Sequence, residues 1–385
     1  MRLWPCFLLL PLAMAAHAAT LVGFAELAAD TFVPGPTSGR YIEPVNGRQP
    51  PFTDKQPVQG FSALLSEGNG SYLALSDNGF GQRNNSADYL LCMYLVQPDF
   101  RTADGGSGTI QINSITQLSD PDHHLPYQAT RENDRLLTGA DLDPESFQRA
   151  ADGSIWIGEE FNPSLLHFDG VGKLLAAPYR LAGLASEDNP RGETATLPRS
   201  RGFEGMAQAP GGKWLYPMLE GSLIGAEAAL NIYTFDSESG RFVNDEASEP
   251  SYRYRLDAGA TAIGDFTLYS ESAGLVVERD SGQGSKARLK KVYKVDFQKL
   301  DGDGFLLKTL VADLLKIEDP DDLNRDGNTL FTFPFWTIEG LVVVNRSTLA
   351  IVNDNNYPYG PAREDRGAEP DNTEFILIDI EPLWE

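Results

Sequence analysis

A phrase that recurs five times constrains this chain more than any other feature: an opening position, usually acidic, an apolar strand, a turn, and a second strand closing on an acid. It reads Gly202-Phe203-Glu204-Gly205-Met206-Ala207 through Lys213-Trp214-Leu215-Tyr216 to Glu220, and returns from Ile338-Glu339-Gly340-Leu341 to Asp354. Looser copies run from Gly60-Phe61-Ser62 to Asp77, from Asp143-Pro144-Glu145-Ser146-Phe147 to Glu160, and from Gly264-Asp265-Phe266 to Glu278. In chain order the opening and closing positions are 15, 15, 16, 13 and 15 residues apart, and only the first copy opens without an acid, at Ser62. A repeat of this kind dictates the architecture before any single residue does.

Each copy predicts two strands joined by a turn such as Ala151-Asp152-Gly153-Ser154 or Pro210-Gly211-Gly212-Lys213. In an antiparallel hairpin the start of the first strand lies beside the end of the second, so both acids of a copy share one open end. Arranged radially, five such ends converge on one axis, the geometry of an all-β β-propeller with five or six blades and a central channel ringed by carboxylates. Further strand candidates follow the hairpins, among them Leu90 to Val96, Ala229 to Phe235 and Leu289 to Val295. The last copy is short of strands, and the N-terminal candidate Leu21 to Phe32 is expected to complete it and close the ring non-covalently. Val311 to Ile317 reads as a helical turn or two.

No linker separates halves of different composition, which predicts a single domain over residues 19–385. Residues 1–18 read as a secretory signal: Arg2, an apolar core from Phe7 to Ala15, and the Ala16-His17-Ala18 cleavage pattern. That predicts export to a periplasm or the cell exterior, and the apolar run is too short for a membrane anchor. Cleavage leaves Cys92 as the only cysteine, which excludes an intrachain disulfide. With 31 basic and 55 acidic side chains the formal charge is −24, which argues against nucleic acid and anionic membranes as partners. A monomer is expected. An anionic substrate would be repelled unless bound cations intervene.

No zinc-type histidine spacing, nucleophile elbow, P-loop or dinucleotide fingerprint is present. Carboxylates are what the chain offers, and hard oxygen ligands suit calcium or magnesium. Asp77, Glu145, Glu160, Glu204, Glu220, Asp265, Glu278, Glu339 and Asp354 form the expected metal-binding ring. Mutually close carboxylates cannot all stay ionised without cations; alternatively, such acids accept hydrogen bonds from turn backbone or pair with basic side chains. Strand alternation sends Glu159 away from the channel if Glu160 faces it. Arg83, Arg201 and Arg279 neighbour the acids and are candidates for holding an oxyanion, or else for salt bridges to those acids. Asp322-Leu323-Asn324-Arg325-Asp326-Gly327 matches half of an EF-hand loop, but Phe333 stands where the closing Glu belongs, and a solvated acidic loop is expected. The aromatic run Phe331 to Trp336 reads as packing.

Seven ordered phrases carry a family resemblance: Leu75-Ser76-Asp77-Asn78-Gly79, Trp156 to Pro163, Arg201 to Gly205, Val277-Glu278-Arg279-Asp280, Phe331 to Gly340, Val352 to Pro358 and Asp371 to Phe375. Together they resemble the secreted phytase-like proteins whose domain is labelled "esterase-like activity of phytase", from about residue 58 to the C-terminus. The resemblance implies phosphoester hydrolysis, by analogy with calcium-dependent propeller phytases. Joined to the acid ring, it gives the expectation of a calcium-dependent phosphoesterase acting on a small anionic phosphoester, with Glu204 and Glu339 catalytic and Arg83, Arg201 and Arg279 stabilising the phosphoryl oxygens. The chain lacks the dense Lys cluster that a highly phosphorylated substrate such as phytate would call for. A non-catalytic calcium-stabilised binding propeller and a lactonase-like propeller hydrolase are the alternative readings.

Overall fold

The computed structural model describes residues 18–226, 228–360 and 369–385. Apart from Ala18, the expected leader lies outside them. Each repeat folds as an antiparallel hairpin: Phe61–Gly68 with Ser71–Ser76, Pro144–Arg149 with Ile155–Glu159, Phe203–Gln208 with Trp214–Leu219, Ala262–Leu268 with Ala273–Arg279, and Thr337–Asn345 with Thr348–Asp354. Turns at Ala151–Ser154 and Pro210–Lys213 join their strands as expected, with Gly153 and Gly211 at positive φ.

Further strands extend the hairpins outward. Cys92–Asp99 and Thr109–Gln117 join the first, Ser164–Phe168 and Tyr179–Arg180 the second, and Lys290–Leu300 and Leu306–Asp313 the fourth. The third is extended by several short strands, among them Leu230–Ile232 and Tyr252–Tyr254. The fifth takes Thr373–Asp379 and then the N-terminal strand Thr20–Leu27, paired antiparallel from Thr20↔Asp379 to Leu27↔Thr373. The expected non-covalent closure is therefore made by chain segments some 350 residues apart.

The leading strands of the five hairpins pack side by side in a closed ring, first on second, second on third, and onward until the fifth meets the first. Five apolar clusters fill the spaces between neighbouring sheets. Leu75 and Met93 meet Phe147 and Ile157 between the first and second, and Phe61 and Leu64 meet Val352 and Phe375 between the first and fifth. This is an all-β β-propeller, held by sheet-to-sheet burial around an axis. Cys92 is buried and free.

One expectation changes, and the packing expected of the aromatic run is observed. Val311 to Ile317 is not helical: Val311–Asp313 finish the strand Leu306–Asp313, because its residues complete an outer edge already templated by Lys290–Leu300. The only helical segment among the described residues is a short 3-10 turn, Gly284–Lys286. The Asp322–Gly327 loop satisfies itself: Asp322 Oδ1 accepts the Gly327 N–H at 3.0 Å, and Asn324 and Asp326 cap the backbone two residues on. Phe331, Phe333 and Phe335 pack in the core between the fourth and fifth sheets.

Candidate metal and catalytic site at the channel mouth

Backbone register explains how each hairpin presents its acids. In every copy the pairing slips by one residue at the opening position, leaving a bulge: Ser62, Glu145, Glu204, Gly264 and Glu339 are the extra residues. A bulge re-aims its side chain out of the ladder, here toward the same end as the closing residue of the partner strand. The closing residues are Asp77, Glu160, Glu220, Arg279 and Asp354; for instance, the Asp77 and Glu220 amides donate to the Gly60 and Gly202 carbonyls at 2.9 Å.

The fourth copy thus differs from its expected alignment by one residue at each end. Its opening position is Gly264 and its closing position Arg279, a separation of 15 that restores the spacing of the other copies. Asp265 falls one residue past the bulge, where its carboxylate accepts N–H bonds from Phe266 (2.6 Å) and Leu341 (2.7 Å) and ties the fourth leading strand to the fifth. Glu278 faces away from the mouth. It accepts from the Tyr254 hydroxyl at 2.5 Å and the Asp257 amide at 3.0 Å, and pairs with Lys308. Glu159 is likewise turned away, as alternation requires, and accepts the amides of Asp143, Phe161 and Asn162.

Seven of the nine expected acids therefore meet at the mouth, and Asp143 joins them. Two buried carboxylate triads share Glu160: Asp143–Glu145–Glu160 and Glu160–Glu204–Glu220, each offering oxygens within 4.8 Å of one another. Asp143 lies two residues before the second repeat's opening acid and is held by Asn78 of the first, through the Asn78 amide at 3.1 Å and its side-chain Nδ2 at 2.8 Å. Nothing in the repeat pattern points to it, because its place in the site is fixed by a neighbouring copy. Asp77, Asp354 and Glu339 complete the rim. Asp77 lies so close under Gly60 that a Cβ there would fall 2.1 Å from its Oδ1, and Gly60 itself sits at φ +66°.

Two carboxylates at such separations repel by roughly 3–4 kcal/mol at an effective dielectric of about 20. Without a cation the ring therefore resists ionisation. Burial, reinforced by neighbouring carboxylates, lifts Asp77, Glu145, Glu160, Glu204 and Glu339 well above the ordinary range. Burial likewise raises Asp354 to about 6, Asp265 to about 7 and Glu159 to about 8, against the backbone N–H bonds each accepts.

The arginines divide by role. Arg279 is buried in the mouth, its Nη2 lying 2.8 Å from Glu220, 3.4 Å from Glu339 and 3.5 Å from Glu204. Arg201 pairs with Glu220 while about a third of its side chain stays exposed (35%). Arg83 spends its guanidinium on the carbonyls of Ala140 (3.0 Å) and Asp188 (3.2 Å). Arg201 is the one of the three whose guanidinium combines mouth placement with solvent access. The first triad differs from the second in making no ion pair: among the described residues no Lys or Arg lies within 4.0 Å of Asp143, Glu145 or Glu160, and only the more distant Arg201 charge bears on Glu160. Three buried oxygen donors with no ion-pair partner fit a hard divalent cation.

Fold and mouth together define an acid-ringed β-propeller. The chain belongs to the phytase-like family described as "esterase-like activity of phytase", whose model matches residues 56–357. No curated protein matches it. Among solved structures it is similar to an arabinanase from Bacillus subtilis, at 12% identity over 84% of this chain and 95% of that one, with a TM-score of 0.41. It is also similar to a PQQ-bound aldose sugar dehydrogenase from Streptomyces coelicolor, at 11% identity, 95% and 100% coverage and a TM-score of 0.37. A gluconolactonase from Xanthomonas campestris shows 13% identity, 96% and 99% coverage and a TM-score of 0.33. None of these activities is carried across by likeness at this level.

Proposed function

We propose that the protein is an exported hydrolase of the phytase-like family, a calcium-dependent phosphoesterase acting on a small phosphoester at the channel mouth. The observation that carries this reading is the triad Asp143–Glu145–Glu160, which makes no ion pair, beside the partly exposed guanidinium of Arg201. These three carboxylates would hold the ion. A bound divalent cation supplies Lewis acidity and offsets the repulsion between an anionic substrate and a chain of charge −24.

The chain's own groups supply the rest. Arg201 donates N–H bonds to the equatorial oxygens of the phosphoryl group, where negative charge builds in the transition state. Glu204 and Glu339 face the same space, and burial pushes both carboxyls upward, favouring the protonated form from which each can pass a proton to a leaving oxygen. Arg83 acts at a distance, bracing the Ala140 and Asp188 segments against each other. The reading includes a monomer acting in a periplasm or outside the cell; among the described residues no helix is long and apolar enough to cross a membrane.

The test is hydrolysis of an aryl phosphate by metal-stripped protein, with and without added calcium, for the native chain and Glu145→Gln. Calcium-dependent turnover, lost in the variant by more than the roughly 10–100-fold that outer-shell changes cost, is the expected result. Silence with a large calcium-induced rise in Tm would overturn the reading in favour of a calcium-stabilised binding propeller. Hydrolysis of a lactone but no phosphoester would move it to the lactonase-like class.

A further inference from the structure

The second triad is built like the first, yet it holds a side-chain cation. In four repeats the closing position is an acid; in the fourth it is Arg279. An arginine normally meets carboxylates with its planar fork, two parallel N–H bonds to one partner. Arg279 does not. A single nitrogen, Nη2, stands among oxygens of Glu204, Glu220 and Glu339, which come from the third and fifth repeats. Its Nε is buried with no hydrogen-bond partner. One positive centre surrounded by several carboxylates, with part of the guanidinium's bonding capacity unused, is how a metal ion is held rather than how an arginine is ordinarily paired.

We propose that Arg279 occupies a second cation position of the mouth, standing where a divalent metal would otherwise bind between Glu204, Glu220 and Glu339. The opening position of the same repeat fits this role. Gly264 contributes no side chain, so the arginine reaches across the fourth repeat's share of the ring without a carboxylate of its own hairpin in the way. Arg279 is then a positioning residue. It holds Glu204, Glu220 and Glu339 together without a metal, and confines exchangeable metal to the part of the ring around Asp143, Glu145 and Glu160. The second clause rests on the metal reading given above; the first does not.

The experiment counts calcium bound per chain, by isothermal titration of metal-stripped protein, for the native chain, Arg279→Gln and Arg279→Lys. Arg279→Gln is expected to bind about one calcium more than the native chain, with a larger calcium-induced shift in Tm, while Arg279→Lys keeps the native count because its charge is retained. An unchanged count in folded Arg279→Gln overturns the proposal. If that variant does not fold with or without calcium, Arg279→Gln/Asp77→Asn is compared with Asp77→Asn alone, which lowers the rim's charge without removing Glu204, Glu220 or Glu339, and an extra calcium or its absence decides in the same way. The native count is read separately: zero calcium in the native chain defeats the first-triad reading and leaves the native-to-variant difference to judge Arg279.

Discussion

Glu145 sits in a bulge with Asp143 and Glu160 as its nearest ionisable company and no basic side chain in contact. In the metal-free chain that arrangement costs stability, because a buried charge without a partner is strained toward protonation. Glu145→Gln is therefore expected to raise Tm in chelator while weakening calcium binding by more than tenfold; a variant less stable in chelator and unchanged in affinity would show that the triad is structural. Asp265 carries a different signature. Its pKa is lifted by burial from 3.8 to about 7, so between about pH 4 and 7 the folded state holds a proton that the unfolded state releases. Stability from this proton is full below about pH 4 and lost as pH climbs through about 7, on the order of a few kcal/mol. Asp265→Asn, whatever its baseline, should lose less stability between pH 5 and 8 than the native chain in urea melts. An equal slope would mean the proton sits elsewhere.

At the scale of the hairpin, the site depends on one backbone device used five times. The bulge aims the opening residue at the mouth, and the partner strand's last residue lies beside it. Gly264 shows how tightly the leading strands approach: a Cβ there would lie 1.8 Å from the Ile338 carbonyl oxygen. Gly264→Ala is expected to cost about 1–3 kcal/mol, read from the denaturation midpoint; no change would mean that the strands can separate locally. Most of this element was legible in the residues, because opening and closing acids keep a fixed offset that survives any detail of the turn. The fourth copy was not, for a physical reason. Its true mouth positions are Gly264 and Arg279, neither an acid, while Asp265 and Glu278 are acids one place away that face other partners. The separation of 13 residues against 15 or 16 elsewhere was the available signal. Asp143 had none, since its role comes from Asn78 in another repeat.

For the whole molecule the raised carboxyls lie both in the mouth, at Asp354, and in the strands behind it, at Asp265 and Glu159. Asp354 at about 6, Asp265 at about 7 and Glu159 at about 8 all lie above their ordinary values through burial. Each favours the protonated folded form, so metal-free protein should lose Tm steadily from pH 5 to pH 8, and saturating calcium should remove only the mouth's share of the decline. A metal-free profile that rises over that range would contradict a buried, proton-holding mouth. Closure makes a further demand. The strand Thr20–Leu27 covers the edge of Thr373–Asp379, and deleting it should leave an open ladder that self-associates, visible as larger species in light scattering. That same pairing sets the timing of biosynthesis. The fifth sheet cannot be completed until residue 379 has been made, so Glu339 and Asp354 join the acids of the earlier repeats last. Repulsion across the whole ring is complete only when the circle shuts, and the ionic content of the compartment at that moment governs how readily the newborn chain completes itself.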